Sequence, residues 1–163
     1  MKTNKVITKG LPRLENRLTF LTHRINARLQ QISSPIIAEF GLDLYSSRIL
    51  FALDQNGPMK VGKLATLMVL PQSTISHQLK RMERNGLIHR TRSNTDERTV
   101  HISVTESGEK ATQVCTNLSN LLQARISREF SSEELLELTN GLKRVFEILK
   151  PVLSLDYDTN KHY

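Results

Sequence analysis

Residues Val61 to Val104, VGKLATLMVLPQSTISHQLKRMERNGLIHRTRSNTDERTVHISV, order themselves as a short helix, a turn, a second helix and a basic β-hairpin. That order is what a helix-turn-helix followed by a wing requires, and the second helix, rich in small polar and basic side chains, suits a DNA major groove. Within it, Pro71 to Asn85 sets Ile75, Leu79 and Met82 at helical spacing on an inner face, and Gly86 follows as a helix stop. Leu70 offers no capping side chain, so Pro71 and Ser73 are expected to share that role. LIHRTR and TVHISV are β-prone runs around the polar tip SNTDER, with Val100, Ile102 and Val104 alternating against His101 and Ser103.

The flanks are helical. Leu11, Leu14, Leu18, Leu21, Ile25, Leu29 and Ile32 recur at steps of three and four, with Pro12 near the start and Ser33-Ser34-Pro35 expected to end or bend the helix. LDLYSSRILFAL, after Gly41, reads as a short, mostly buried helix, and Asn56-Gly57-Pro58 as a turn. Thr105 is an expected N-cap for a helix carrying Ala111, Val114, Leu118, Leu121, Leu122 and Ile126. Ser131 and Glu134 form a capping box. The helix they open carries Leu135, Leu138, Leu142, Val145, Leu149 and Val152 at heptad steps, the period of a helix seam.

The fold class expected is therefore mainly α with a small β wing. Residues 41–104 form a winged helix-turn-helix, 1–33 and 106–153 supply dimerisation helices, and 154–163 is a loose tail. The terminal helices carry more apolar surface than so small a central domain can cover, which implies a homodimer.

Charge sharpens this. The 163 residues have a formal net charge of +7, of which residues 1–28 contribute +6 and residues 60–98 contribute +5. Two concentrated basic regions point to a polyanionic partner, although the same balance also suits a surface kept basic for solubility. No run of about 18 apolar residues occurs, so no membrane span is expected. The start MKTNKVITKG has no apolar core of signal-peptide length. The lone cysteine, Cys115, excludes an internal disulfide framework and reads as a small buried hydrophobe. A cytoplasmic location follows as the expectation.

GLDLYSSRILFAL, the helix-turn-helix stretch with its STIS and RMERNGLIHR, the Asp96-x-Arg98 spacing and VTESG occur in a fixed series. In that series, over about residues 11–152, the chain resembles the MarR family of bacterial winged helix-turn-helix regulators. The resemblance implies a homodimer that binds a palindromic site on double-stranded DNA, most often a repressor released by a small aromatic acid, a phenolic compound or an oxidant. Oxidant-sensing members commonly use a cysteine near the N-terminus, and this chain has none there.

For DNA contact, the outward positions of the second helix are Gln72, Ser73, Ser76, His77 and Lys80, and Thr74 and Arg81 are expected to bind DNA with them. Short hydroxyls allow close approach, Gln pairs with adenine and Lys with guanine; an ordinary polar helix face is the plainer reading. The family often has Arg where this chain has His77, and an imidazole offers fewer donors. Arg90, Arg92, Lys60 and Lys63 suit phosphates or simple solvation. Arg98 at the wing tip suits a narrow minor groove, with Asp96 orienting Arg98 or a helix arginine such as Arg81, unless the two form a plain surface ion pair. The basic stretch of Lys2, Lys5, Lys9, Arg13 and Arg17 is open between DNA contact and the dimer end.

The resemblance also implies an effector pocket between the dimer helices and the DNA-binding lobe. Tyr45 and Arg48, with His23, Arg24 or Arg28, would supply an aromatic wall and a carboxylate partner, against the plainer readings of helix packing and surface charge. His89 and His101 are expected to face each other across the hairpin, but they lack the Cys or carboxylate neighbours of a metal site. No nucleophile elbow, glycine-rich phosphate loop or paired carboxylates occur, so no enzyme and no cofactor are expected. Two alternatives stay open: a winged helix used for protein contacts, and a metal-responsive regulator of the same fold.

Overall fold

The computed structural model describes residues 10, 12–92 and 100–150, with Arg92 placed by its backbone alone. The helices are α1 (Leu18–Ile37), α2 (Leu44–Asn56), α3 (Val61–Met68), α4 (Gln72–Arg84), α5 (Glu106–Ser127) and α6 (Ser132–Leu149). The strands are β1 (Met59–Lys60), β2 (Ile88–Arg92) and β3 (Val100–Val104). Side-chain caps or left-handed backbone torsions mark one end of α2, α3, α4, α5 and α6.

Helix α1 corrects the expected start and end: the segment read as helical from Leu11 becomes α-helix only at Leu18, after a 3-10 turn at Leu14–Asn16. It does not end at Ser33-Ser34-Pro35 but runs through Pro35 to Ile37. Pro35 forfeits one helix hydrogen bond, yet the added turn carries Ile37, 1% exposed, into the core. A short 3-10 turn, Ala38–Phe40, then ends at Gly41, whose φ of 65° needs no strain only in glycine. Helix α2 opens with a capping box absent from the sequence reading. Asp43 Oδ1 accepts the Ser46 N–H at 2.8 Å, and the Asp43 N–H donates to Ser46 Oγ at 2.9 Å.

The turn between α3 and α4 places Val69 at φ 52°, the left-handed region usually left to glycine. Helix α4 starts without the expected side-chain cap. Pro71 sits at the N-cap and its carbonyl accepts the Ile75 N–H at 3.1 Å, but Ser73 plays no capping role. At the other end Gly86 (φ 70°) closes the helix, its N–H bonding to Glu83 O and the Leu87 N–H to Met82 O, as a helix-terminating glycine should.

The sheet has the order β1-β3-β2, antiparallel throughout. The two-residue β1 was not legible in the sequence. In the wing, Ile88 pairs with Val104 and Arg92 with Val100. This register sets His89 opposite Ser103, whose hydroxyl lies 2.9 Å from His89 Nε2, and His101 opposite Thr91, so the two histidines do not face each other.

Thr105 caps α5 as expected: its hydroxyl oxygen accepts the Gly108 N–H at 3.0 Å while donating to Gly86 O at 2.6 Å. Gly108 lies so close to the Leu87 carbonyl that a Cβ there would collide with it, and would stand 2.6 Å from Val104 Cγ1. The VTESG series is thus a joint between α5 and the root of the wing. Ser131 and Glu134 form the expected box on α6, with the Ser131 N–H donating to Glu134 Oε2 at 2.7 Å.

Two compact units result, residues 1–118 and 119–163. In the first, Ile49, Leu50, Leu64, Ile75, Leu79, Met82, Ile88 and Ile102 form one dry core that fixes α2, α3, α4 and the sheet together. In the second, α6 buries no residue at all. No helix among the described residues is long and apolar enough to cross a membrane.

Candidate nucleic-acid interface

Helix α4 owes its orientation to three residues. Ile75, Leu79 and Met82 are buried on one side, as the spacing required. At about 3.6 residues per turn, the positions directly opposite them are Ser73, His77, Lys80 and Arg84. All four are exposed, as are Gln72 and Thr74 at the start of the helix, while Ser76 is half-buried. Arg84 escaped the sequence reading, although its step of four from Lys80 and seven from His77 was the signal that could have found it. His77, Lys80, Glu83 and Arg84 line a shallow recess of about 410 Å³.

The first turn adds to this surface. With no side-chain cap and no acidic residue there, the first N–H groups of α4 point outward with the positive end of the helix dipole, an arrangement suited to a phosphate.

The flanks of α4 are anchored rather than free. On one flank Arg81 turns away from the outward face. Its Nη2 donates to Asp43 Oδ2 at 2.6 Å, to Gln78 Oε1 at 2.8 Å and to Ser46 Oγ at 3.2 Å, and Gln78 Nε2 donates to Asp43 Oδ2 at 3.2 Å. Burial pushes the Asp43 carboxyl up, but the Ser46 N–H, the Arg81 guanidinium and the Ser46 hydroxyl together outweigh it and hold it below the ordinary aspartate value. On the other flank Glu83 Oε2 stands 3.0 Å from Arg90 Nε of β2, within ion-pair range but off line for a hydrogen bond. Arg81 and Arg90, both read from sequence as DNA contacts, therefore have carboxylate partners within the protein.

Lys60 and Lys63 are exposed beside α4 on the helix-turn-helix. Asp96 and Arg98 lie outside the described residues, as does the side chain of Arg92.

The residues read as an effector site are dispersed along α1 and α2. Tyr45 is 44% exposed, and Arg48, Arg24 and Arg28 are exposed too. His23 stacks on Phe20 at 6.1 Å between ring centroids, and Arg28 donates to Gln31 at 3.2 Å. Cys115 is buried; desolvation raises its thiol pKa over the opposing pull of Arg48 and of its own backbone N–H.

Comparison with known proteins agrees with this geometry. The MarR family model matches residues 45–100. The organic hydroperoxide resistance transcriptional regulator of Bacillus subtilis is 30% identical over 137 residues, covering 84% of this chain and 92% of its own. Among solved structures, the S. aureus MepR–DNA complex is similar at a TM-score of 0.74 and 22% identity, over 82% of this chain and 99% of that one. The Streptomyces coelicolor PcaV regulator, solved with its natural ligand, is similar at a TM-score of 0.73 and 17% identity, over 84% and 96% respectively. At such identities these two structures share the fold.

Proposed function

This chain belongs to the MarR family of transcriptional regulators, and from that membership we propose that it is a cytoplasmic, homodimeric repressor that reads a palindromic duplex and lets go when a small aromatic acid or phenol binds. It is a regulator of transcription and not an enzyme. The observation that carries the DNA-reading is the outward face of α4. Ser73, His77, Lys80 and Arg84 stand exposed directly opposite a buried Ile75-Leu79-Met82 stripe, above an uncapped helix start. That face is polar and basic, which suits base edges and phosphates and not an apolar protein partner.

Gln72, Ser73, Thr74, Ser76, His77 and Lys80 are assigned to the major groove, Arg92 to phosphates, and Arg98, oriented by Asp96, to the minor groove. Dimerisation is assigned to the apolar faces of α1 and of residues 119–150. Two readers about 34 Å apart then meet successive major grooves.

For release, the exposed Tyr45 and Arg48 on α2, with His23 and Arg28 on α1, are the groups suited to an aromatic carboxylate. A thiol-based signal has little support. The sole cysteine, Cys115, is buried with its thiol pKa raised, and the thiolate is the reactive form.

The test is fluorescence anisotropy of the whole protein on a duplex selected from a random pool and on an unselected duplex, each across a salt series. Tighter binding to the selected duplex, with log affinity falling steeply against log salt, is expected. Equal affinities, or none at any salt, would sink the reading.

A further inference from the structure

We propose that Asp43 is a positioning residue for DNA recognition: from the N-cap of α2 it grips Arg81 and Gln78 and so fixes the rotation of α4 about its own axis. The inference rests on the reading of α4 as the DNA-reading helix. Three observations carry it. The Asp43 carboxylate is itself immobilised, because Oδ1 is committed to the Ser46 N–H and hydroxyl, both at 2.8 Å. Its other oxygen, Oδ2, takes Arg81 and Gln78, which lie one turn apart on the same flank of α4. Arg81 and Gln78 also bond each other at 2.8 Å, so the two side chains act as one fork rather than two loose arms.

The core alone does not fix the same quantity. Ile75, Leu79 and Met82 hold α4 against the first unit, but apolar contacts are non-directional and tolerate small rotations. A charge-assisted, forked contact on one flank is directional. A small rotation of α4 moves the tips of Ser73, His77 and Lys80 across a base edge, whereas phosphate contacts through flexible lysines and arginines absorb it. Asp43 therefore governs the ratio of specific to non-specific affinity more than either affinity by itself.

Asp43→Asn in the full chain tests this, since Asn caps a helix as well as Asp does and the fold is kept. The wild-type ratio of affinities for the selected and unselected duplexes is measured first; a ratio of one overturns the DNA-reading and this inference with it. Given a wild-type ratio well above one, Asp43→Asn is expected to lower it by about tenfold, the size of one lost base discrimination. Affinity for the unselected duplex should hold or rise, its salt slope steepening by about one as Arg81 is released to a phosphate. Arg81→Met, which keeps the cap and the apolar stem but removes the nitrogen that bonds Asp43, Gln78 and Ser46, should lower the ratio as well. A wild-type ratio in either variant, with an unchanged helical spectrum, overturns the latch while leaving the DNA-reading intact.

Discussion

Gly108 shows how one residue ties the wing to the rest of the first unit. Its backbone lies against the Leu87 carbonyl, and Thr105 beside it bonds both the Gly108 N–H and Gly86 O. The end of α4, the root of the wing and the start of α5 thus meet at one point, and only a residue without a Cβ fits there. Gly108→Ala would set a methyl group into backbone that cannot swing aside. Forced overpacking of this kind costs about 1–3 kcal/mol, and the obstacle here is a carbonyl rather than a flexible side chain. The helix-propensity gain from alanine, up to about 1 kcal/mol, offsets only part of that. The expected outcome in urea unfolding is a lower midpoint with unchanged slope. Wild-type or higher stability would mean that α5 does not sit on Leu87. Gly86 has open space where a Cβ would stand and is needed for its positive φ alone, whereas at Gly41 a positive φ is joined by the Asn85 side chain, 2.5 Å from where a Cβ would stand.

Helix α4 was legible where its pattern is local and opaque where it depends on distant residues. Ile75, Leu79 and Met82 announce the buried side by spacing, and Gly86 announces the stop. The partner of Arg81 lies 38 positions away at Asp43, a separation no periodicity reports, so the sequence by itself presents Arg81 as one more basic residue on a basic helix. Strand β1 escaped because two residues carry no alternation, and the turn through Pro35 because the burial of Ile37 outweighed a local breaker. The uncapped start of α4 is half visible in the sequence, since Leu70 and Pro71 have no capping group, but the hydroxyl of Ser73 suggests a cap that the helix does not use. That start makes a prediction. Pro71→Asp places a cap where the backbone already has cap-like torsions, φ −54° and ψ 142°. The cap contributes about 0.5–2 kcal/mol, against about 0.4–1 kcal/mol for the lost stiffness of proline in the unfolded chain. Stability should hold or rise slightly. Affinity for any duplex should nevertheless fall several-fold, because the new carboxylate occupies the phosphate-facing end of the helix dipole. Full DNA affinity in this variant would show that the start of α4 does not approach the duplex.

For the molecule as a whole, the apolar residues left in solvent matter more than those in the core. Helix α6 is well capped, yet Leu138, Leu142 and Leu149, spaced four and seven apart, are 48%, 44% and 51% exposed. On α1, Leu18, Leu21, Ile25 and Ile32 are exposed as well, Ile25 by 59%. A helix of this length is marginal in water without a packed face, and burying each leucine contributes about 1.5–3 kcal/mol. Heptad spacing suits a second helix as the cover, and in the proposed homodimer a second copy would supply it. Leu142→Glu should therefore leave the helical content and the core of residues 1–118 as they are, since Leu142 is not part of that core. It should weaken self-association by at least about tenfold, the effect of 1.4 kcal/mol in an equilibrium constant. Sedimentation at micromolar concentration should show the wild-type chain as a dimer and the variant shifted towards monomer. Binding to the selected duplex should weaken in step, because a palindrome read by one copy loses half its contacts. A Leu142→Glu chain that still sediments as a dimer would place the seam elsewhere; one that is monomeric yet binds with wild-type affinity would show that each α4 reads alone.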